Sequence, residues 1–78
     1  MLSKIIKTMR KKANLKQNDL AKLCNIANTT LSGYESNYRE PSFETLEIIA
    51  NNCGYKIQFK NIQTGDILTT ENINRKEI

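Results

Sequence analysis

Apolar residues recur at helical spacing from the start of the chain, with basic residues between them. This pattern predicts an amphipathic first helix that ends near Asn14. Its apolar positions are Leu2, Ile5, Ile6, Met9 and Ala13. A second helix of about two turns is predicted from Gln17, and it ends at Asn25 because asparagine tolerates the left-handed backbone of a sharp stop. The apolar positions of this second helix are Leu20, Ala21, Leu23 and Cys24.

Residues 25–42, NIANTTLSGYESNYREPS, are polar enough for a loop, yet they separate into two sides on a helical wheel. The polar side holds Asn28, Thr29, Ser32, Gly33 and Ser36, and the other side holds Ala27, Thr30, Leu31 and Tyr34. A loop has no reason to sort its residues in this way. The sorting predicts a third helix that ends near Ser36, with Asn37 as a second left-handed stop.

A fourth helix is predicted after Pro41, with Ser42 as its N-cap and Gly54 as its end. Its predicted buried stripe is Phe43, Leu46, Ile49, Ala50 and Cys53. After Gly54 the period changes to alternation, with Tyr55, Ile57 and Phe59 on one side, which predicts a β-hairpin over residues 55–70 that turns at Gly65. Residues 71–78 are expected to form a polar tail.

Charge is distributed unevenly along the 78 residues, whose net charge is +4. Residues 1–40 carry eight Lys/Arg against three Asp/Glu, whereas residues 41–78 carry four against five. The basic front half favours a polyanionic partner, nucleic acid first, with a solvated basic face as the alternative. No apolar run approaches the ~20 residues of a membrane span, so a cytoplasmic protein without membrane contact is expected.

Catalytic and metal chemistry find little support in the sequence. There is no histidine, no glycine-rich phosphate loop and no evident pairing of carboxylates, so no catalytic residue, metal site or cofactor is predicted. Cys24 and Cys53 fall on apolar helix positions, which favours buried thiols over a disulfide or metal ligands. The sequence therefore predicts a binding protein and not an enzyme.

The second and third predicted helices are short and are joined by a tight turn. A small residue, Ala21, lies where they cross, and the third helix has a polar outer face. This combination is typical of a helix-turn-helix. The stretch LKQNDLAKLCNIANTTLSGYESNYREPSFETLEIIANNCG resembles the phage-repressor and Cro type of this domain, the XRE family. The resemblance covers about residues 2–54. It coincides at Gln17, Leu20-Ala21, Leu31-Ser32, Tyr34-Glu35 and the EPS...TL..IA run. Asn25 and Asn37 stand where the family usually has glycine, and Lys16 and Ala27 stand where it commonly has a capping Ser or Thr.

The resemblance implies a mainly α, four-helix, lambda-repressor-like domain at residues 1–54, followed here by a hairpin where the family often has a fifth helix. It implies base contacts by Asn28, Thr29, Ser32 and Gly33 in a DNA major groove. It implies contacts to the phosphate backbone by Gln17, Asn37, Tyr38 and Arg39, with Lys11 and Lys16 as weaker candidates. Arg10 and Glu35 match a family pair that bridges the first helix to the end of the third. A solvated helix face or a solvated charge is the alternative for each polar candidate.

A two-stranded hairpin is marginal alone and leaves open edges, which a second copy can cover. We therefore expect a twofold dimer joined through Tyr55, Ile57 and Phe59. The leading hypothesis is a double-stranded DNA-binding transcriptional regulator of phage or mobile-element type, a repressor on a palindromic operator. The alternative is an antitoxin that binds a toxin and represses its own operon.

Overall fold

The computed structural model describes residues 2–72, which form four helices of eight or more residues and a small hairpin. In chain order the elements are α1 Leu2–Lys12, α2 Gln17–Cys24, α3 Asn28–Glu35, α4 Phe43–Asn52, β1 Phe59–Lys60 and β2 Ile67–Leu68, with a further helical turn over 70–72. The predicted fold class, mainly α with a C-terminal hairpin, is confirmed. Residues 73–78 of the predicted tail lie outside the described residues.

The helices end where the sequence predicts sharp stops. Asn14, Asn25 and Asn37 have φ values of 63°, 58° and 66°, and Gly54 has φ 89°. Residues other than glycine seldom adopt this left-handed conformation, but asparagine does so more readily than most because its short side chain bonds locally. The expected left-handed stops at Asn25 and Asn37 are thus confirmed.

The helix starts differ in how they are capped. The Ser42 hydroxyl accepts a hydrogen bond from the Thr45 N–H at 3.2 Å, so the predicted N-cap of α4 is confirmed. Lys16 and Ala27, which precede α2 and α3, form no side-chain cap hydrogen bond. The starts of these two helices depend more on tertiary packing for that reason.

Each of the four helices contributes one fully buried aliphatic side chain to a single core: Ile6, Leu20, Leu31 and Ile49 are all 0% exposed. The other buried apolar residues of the core are Met9, Ala21, Cys24, Ala50 and Cys53. Truncating one of the four aliphatic side chains to alanine typically costs about 2–5 kcal/mol. The core is small, and it holds all four helices in one unit.

Phe43 does not join this core, so the prediction that it belongs to the buried stripe of α4 is wrong. Its side chain is 44% exposed, and its ring lies on that of Phe59, with centroids 6.4 Å apart and planes 26° apart. Phe43 is the first residue of α4, and its ring contacts the hairpin. The aromatic pair links β1 to the helical unit.

The hairpin is shorter than the alternating pattern predicts. Phe59 pairs with Leu68 and Lys60 with Ile67 in antiparallel register, whereas residues 55–58 are not in a strand. The turn is closed by Asn61, whose N–H donates to the Asp66 carbonyl at 2.7 Å. Gly65 has φ 79°, which confirms that it supplies the turn.

Candidate nucleic-acid interface

Helix α3 has one packed side and one open side. Leu31 is fully buried and Tyr34 packs against the core, while Asn28, Thr29 and Ser32 are exposed. Among the described residues, the side chains of these three form no hydrogen bond with any partner. The open side of α3 thus presents short amide and hydroxyl groups, which can donate to and accept from base edges.

The turn between α2 and α3 fixes the angle at which α3 is presented. The Asn25 N–H donates to the Lys22 carbonyl at 3.1 Å, and the Ile26 N–H donates to the Ala21 carbonyl at 3.0 Å. Ala21 is only 2% exposed, and its small side chain allows a close approach between neighbouring elements. Together these contacts form the compact helix-turn-helix that the sequence predicts.

Arg10 and Glu35 form a two-pronged ion pair between α1 and the end of α3. The arginine Nε lies 2.7 Å from Glu35 Oε2 and its Nη2 lies 2.9 Å from Oε1. The two side chains are 12% and 4% exposed. Arg10 Nη1 also donates to the Leu15 carbonyl at 2.9 Å. The hydrogen bonds to Glu35 raise the pKa of the Arg10 guanidinium, with burial acting in the opposite direction.

Gln17, expected to contact phosphate, has a partner inside the protein. Its Nε2 donates to Glu35 Oε1 at 3.2 Å, so α2 joins the same network as α1 and α3. The helical period places Gln17 at the start of α2 but gives no sign of this contact. The network holds the first turn of α2 and the last turn of α3 together.

The segment after α3 carries the other expected phosphate contacts. Tyr38 is 81% exposed, and Asn37 and Arg39 are also exposed. Lys11, in the last turn of α1, and Lys16, just before α2, are exposed as well. In the sequence, exposed lysines therefore precede α3, and exposed polar and basic residues follow it.

Gly33 differs from the other three residues predicted to face bases, because it is buried. The Arg39 side chain lies over it, and a Cβ at position 33 would be 3.0 Å from Arg39 Cγ. Sequence reasoning missed this contact, although a glycine inside a short helix was an available signal. In this structure Arg39 covers the surface at which Gly33 was expected to meet DNA.

The three hairpin residues predicted to form a dimer contact do not lie on one exposed face. Ile57 packs against the helical core, whereas Tyr55 is 41% and Phe59 is 62% exposed. Ile57 lines two apolar grooves, of about 310 and 320 Å³. One groove lies under Phe59 and Leu68, and the other lies between α1, α4 and Tyr55.

Both cysteines are buried free thiols, as the sequence predicts. Burial raises the pKa of Cys24 and of Cys53, which keeps both thiols neutral. The Asn52 side-chain amide lies 3.7 Å from the Cys24 sulfur. Within residues 2–72, no helix is long and apolar enough to cross a membrane.

Comparisons with known proteins agree with this geometry. A family model described as helix-turn-helix, HTH_3, matches residues 6–60. The HTH-type transcriptional regulator ImmR of Bacillus subtilis is 33% identical over 75 residues, which cover 96% of this chain and 54% of ImmR. The HTH-type transcriptional regulator AnsR of the same organism is 46% identical over 43 residues, which cover 55% of this chain and 37% of AnsR. The matched residues thus span about half the length of ImmR and a little over a third of the length of AnsR. No solved structure gives a significant match.

Proposed function

The chain belongs to the helix-turn-helix family HTH_3, as its resemblance to the XRE type predicts, and from this premise we propose that it is a sequence-specific DNA-binding transcriptional regulator. The observation that carries the proposal is the open side of α3, where three polar side chains point away from a helix that is fixed on its other side. An α-helix fits the major groove of B-DNA, where amide and hydroxyl groups distinguish base pairs.

In the proposed complex Asn28, Thr29 and Ser32 contact base edges. The Asn28 amide can bond the N6 and N7 atoms of adenine, and the Thr29 methyl can contact the methyl of thymine. These groups are uncharged, so they contribute discrimination between sequences and little general attraction to DNA. General attraction comes from cationic side chains and helix N-termini at phosphates.

Phosphate contacts are proposed on both flanks of α3. The N-terminus of α2 presents backbone N–H groups beside Lys16, and Gln17 gives this end a fixed position through its bond to Glu35. Lys11 adds charge on the same flank, while Asn37 and Tyr38 contact the backbone after α3. The proposal predicts affinity that falls steeply as the salt concentration rises.

We further propose a twofold homodimer that represses transcription from a palindromic operator. Each strand of the hairpin is two residues long and, within the described residues, is paired on one side, so strand edges are open to a second copy. Apolar side chains accompany these edges, with Phe59 62%, Ile67 38% and Leu68 40% exposed. A twofold pairing would present two α3 helices about 34 Å apart, one helical turn of DNA.

Selection of bound DNA from a random pool at two salt concentrations tests the proposal. A twofold-symmetric site, with affinity that falls linearly against the logarithm of salt concentration, is the expected result. Asn28→Ala should relax the preference at one base pair in each half-site, and Ser3→Ala, far from α3 in sequence, is the matched control. Absence of any enriched sequence would refute sequence-specific binding, and an unsymmetrical site bound by monomer would refute the dimer.

A second candidate function is suggested by the apolar groove at the hairpin. The groove is lined by Phe43, Ile57, Phe59, Leu68, Thr69 and Thr70, and a toxin segment could occupy it in place of a second copy. The protein would then be the antitoxin of a pair that also represses its own operon. Copurification of one stoichiometric protein from the host of the gene would support this function, and a pure homodimer would count against it. In either function the proposed protein is a cytoplasmic, non-catalytic DNA binder.

A further inference from the structure

The segment that follows α3 folds back onto the helix at Gly33. The Gly33 carbonyl accepts hydrogen bonds from the Tyr38 N–H at 2.9 Å and the Arg39 N–H at 3.3 Å. The Ser36 hydroxyl donates to the same carbonyl at 3.3 Å. Asn37, with φ 66°, reverses the chain so that these bonds can form. The backbone of residues 38 and 39 is therefore held against the last turn of α3.

This return places the Arg39 side chain where a side chain of residue 33 would lie. A Cβ at position 33 would be 3.0 Å from Arg39 Cγ, 3.4 Å from Cδ and 3.6 Å from Nε. The aliphatic stem of Arg39 thus crosses the helix at Gly33, and the guanidinium begins within a few ångströms of that point. A Cβ at position 33 would require the stem to shift by a few tenths of an ångström, and a longer side chain would require a larger shift. The side chain of Arg39, from the loop, thus covers the helix position at which Gly33 has no side chain.

The open side of α3 carries no charge of its own, and Arg39 is the basic residue nearest to α3 in the sequence. Helix α3 carries one charged residue, Glu35, and its carboxylate is engaged by Arg10. Position 33 lies four residues after Thr29, which places both on the same side of the helix one turn apart. In the part of the chain that the structure describes, the guanidinium has no hydrogen-bond or ion-pair partner. Arg39 is exposed, and its stem lies over position 33, one helical turn from Thr29.

We propose that Arg39 is a specificity-determining residue that reads a guanine in the major groove, with Gly33 as the residue that positions it. A guanidinium donates two parallel hydrogen bonds to O6 and N7 of guanine, the commonest specific contact between proteins and DNA. This inference rests on the proposed function, and it replaces the expected phosphate contact of Arg39 by a base contact. Glycine at position 33 costs the helix roughly 1 kcal/mol relative to alanine. The stem of Arg39 occupies the space that this glycine leaves.

The test is random-pool selection with the full chain and four variants: Arg39→Gln, Arg39→Lys, Gly33→Ala and Lys7→Gln. Arg39→Gln should reduce the preference for guanine at one position of each half-site roughly 5- to 150-fold. Arg39→Lys retains the charge but lacks the two-pronged geometry, so it should lose most of the same preference. Lys7→Gln removes an exposed charge from α1 and should leave every base preference intact.

Gly33→Ala tests the positioning role without touching the arginine. Because its Cβ would force the Arg39 stem to shift by a few tenths of an ångström, it should reduce the preference at the same position, and the double variant with Arg39→Gln should lose no more than Arg39→Gln alone. A thermal unfolding curve for each variant verifies that it is folded. If Gly33→Ala does not fold, the two Arg39 variants decide the question alone.

Two results would overturn the inference, and they are distinguishable from each other. If Arg39→Gln weakens binding to all sequences alike and lowers the salt slope by about one, Arg39 contacts phosphate and not a base. If the unaltered chain enriches no sequence, the proposed function itself fails and the inference fails with it. Enrichment of a site with guanine at a position that depends on both Arg39 and Gly33 supports it.

Discussion

Replacement of Arg10 with methionine should lower the free energy of unfolding by about 3–5 kcal/mol, the usual cost of leaving a buried charge without its partner. The Glu35 side chain is 4% exposed, and in this variant it retains the 3.2 Å hydrogen bond from Gln17. The hydrogen bond to the Leu15 carbonyl is lost as well. Methionine can follow the path of the arginine stem, so the loss comes from charge and hydrogen bonding more than from volume.

This loss is large relative to the stability of the domain. At the usual 0.05–0.15 kcal/mol per residue, a chain of this size is stable by about 4–12 kcal/mol. The double variant Arg10→Met, Glu35→Leu provides a matched comparison, because it removes both charges of the ion pair. This double variant should regain about 2 kcal/mol or more relative to Arg10→Met, because no unpaired carboxylate remains.

Urea unfolding followed by circular dichroism measures these values, with the midpoint of thermal unfolding as a second measure. A loss of 3 kcal/mol corresponds to a fall of roughly 12–24 °C in Tm for a domain of this size. The coupling between Arg10 and Glu35 should change little between 0.1 and 1 M salt, since buried pairs are weakly screened. A loss below about 1 kcal/mol, with single and double variants that add, would show a solvated pair and refute this reasoning.

Other changes test the turn, the thiols and the hairpin. Asn25→Ala should destabilise the domain by about 1 kcal/mol because alanine is strained at φ 58°, whereas Asn25→Gly should be nearly neutral in the same urea titration. Because burial raises the pKa of Cys24 and Cys53 in the folded state, the unfolded chain loses thiol protons first, so stability should fall as pH rises above about 9. The variant with alanine at both positions should show less of this fall, and equal slopes would contradict the assignment. Phe59→Ser should abolish the proposed dimer in sedimentation at micromolar concentration. The Tm, measured on dilute protein, should change little, because the lost contact with Phe43 lies outside the buried core of the helices. An unaltered dimer would exclude Phe59 from the interface.

The helical unit could be predicted from the sequence because its signals are local. The apolar period places Ile6, Leu20, Leu31 and Ile49 toward a core, and left-handed asparagines mark helix ends within one or two residues. The same local signals predict which side of α3 stays open. A resemblance to known domains added the Arg10 and Glu35 pair, which periodicity alone does not indicate.

What the sequence could not show depends on contacts between distant segments. Phe43 fits the apolar stripe of α4, but its ring meets the hairpin at Phe59 and stays half exposed. The burial of Gly33 depends on a loop that folds back, and helical spacing carries no information about that loop. The strands are short because residues 55–58 pack along the helices through Ile57 before any pairing begins.

The distribution of buried residues predicts that the helical unit and the hairpin differ in local stability. All nine buried apolar residues lie at or before Cys53, and none of residues 54–72 is fully buried. Amide protons in the hairpin should therefore exchange with solvent through local opening, whereas those of the core helices exchange through global unfolding. The surface proposed to associate can thus open and close while the surface proposed to contact DNA keeps its shape. If the proposed roles hold, substitutions in the hairpin should change which chain it pairs with and leave the DNA sequence preference of α3 unaltered.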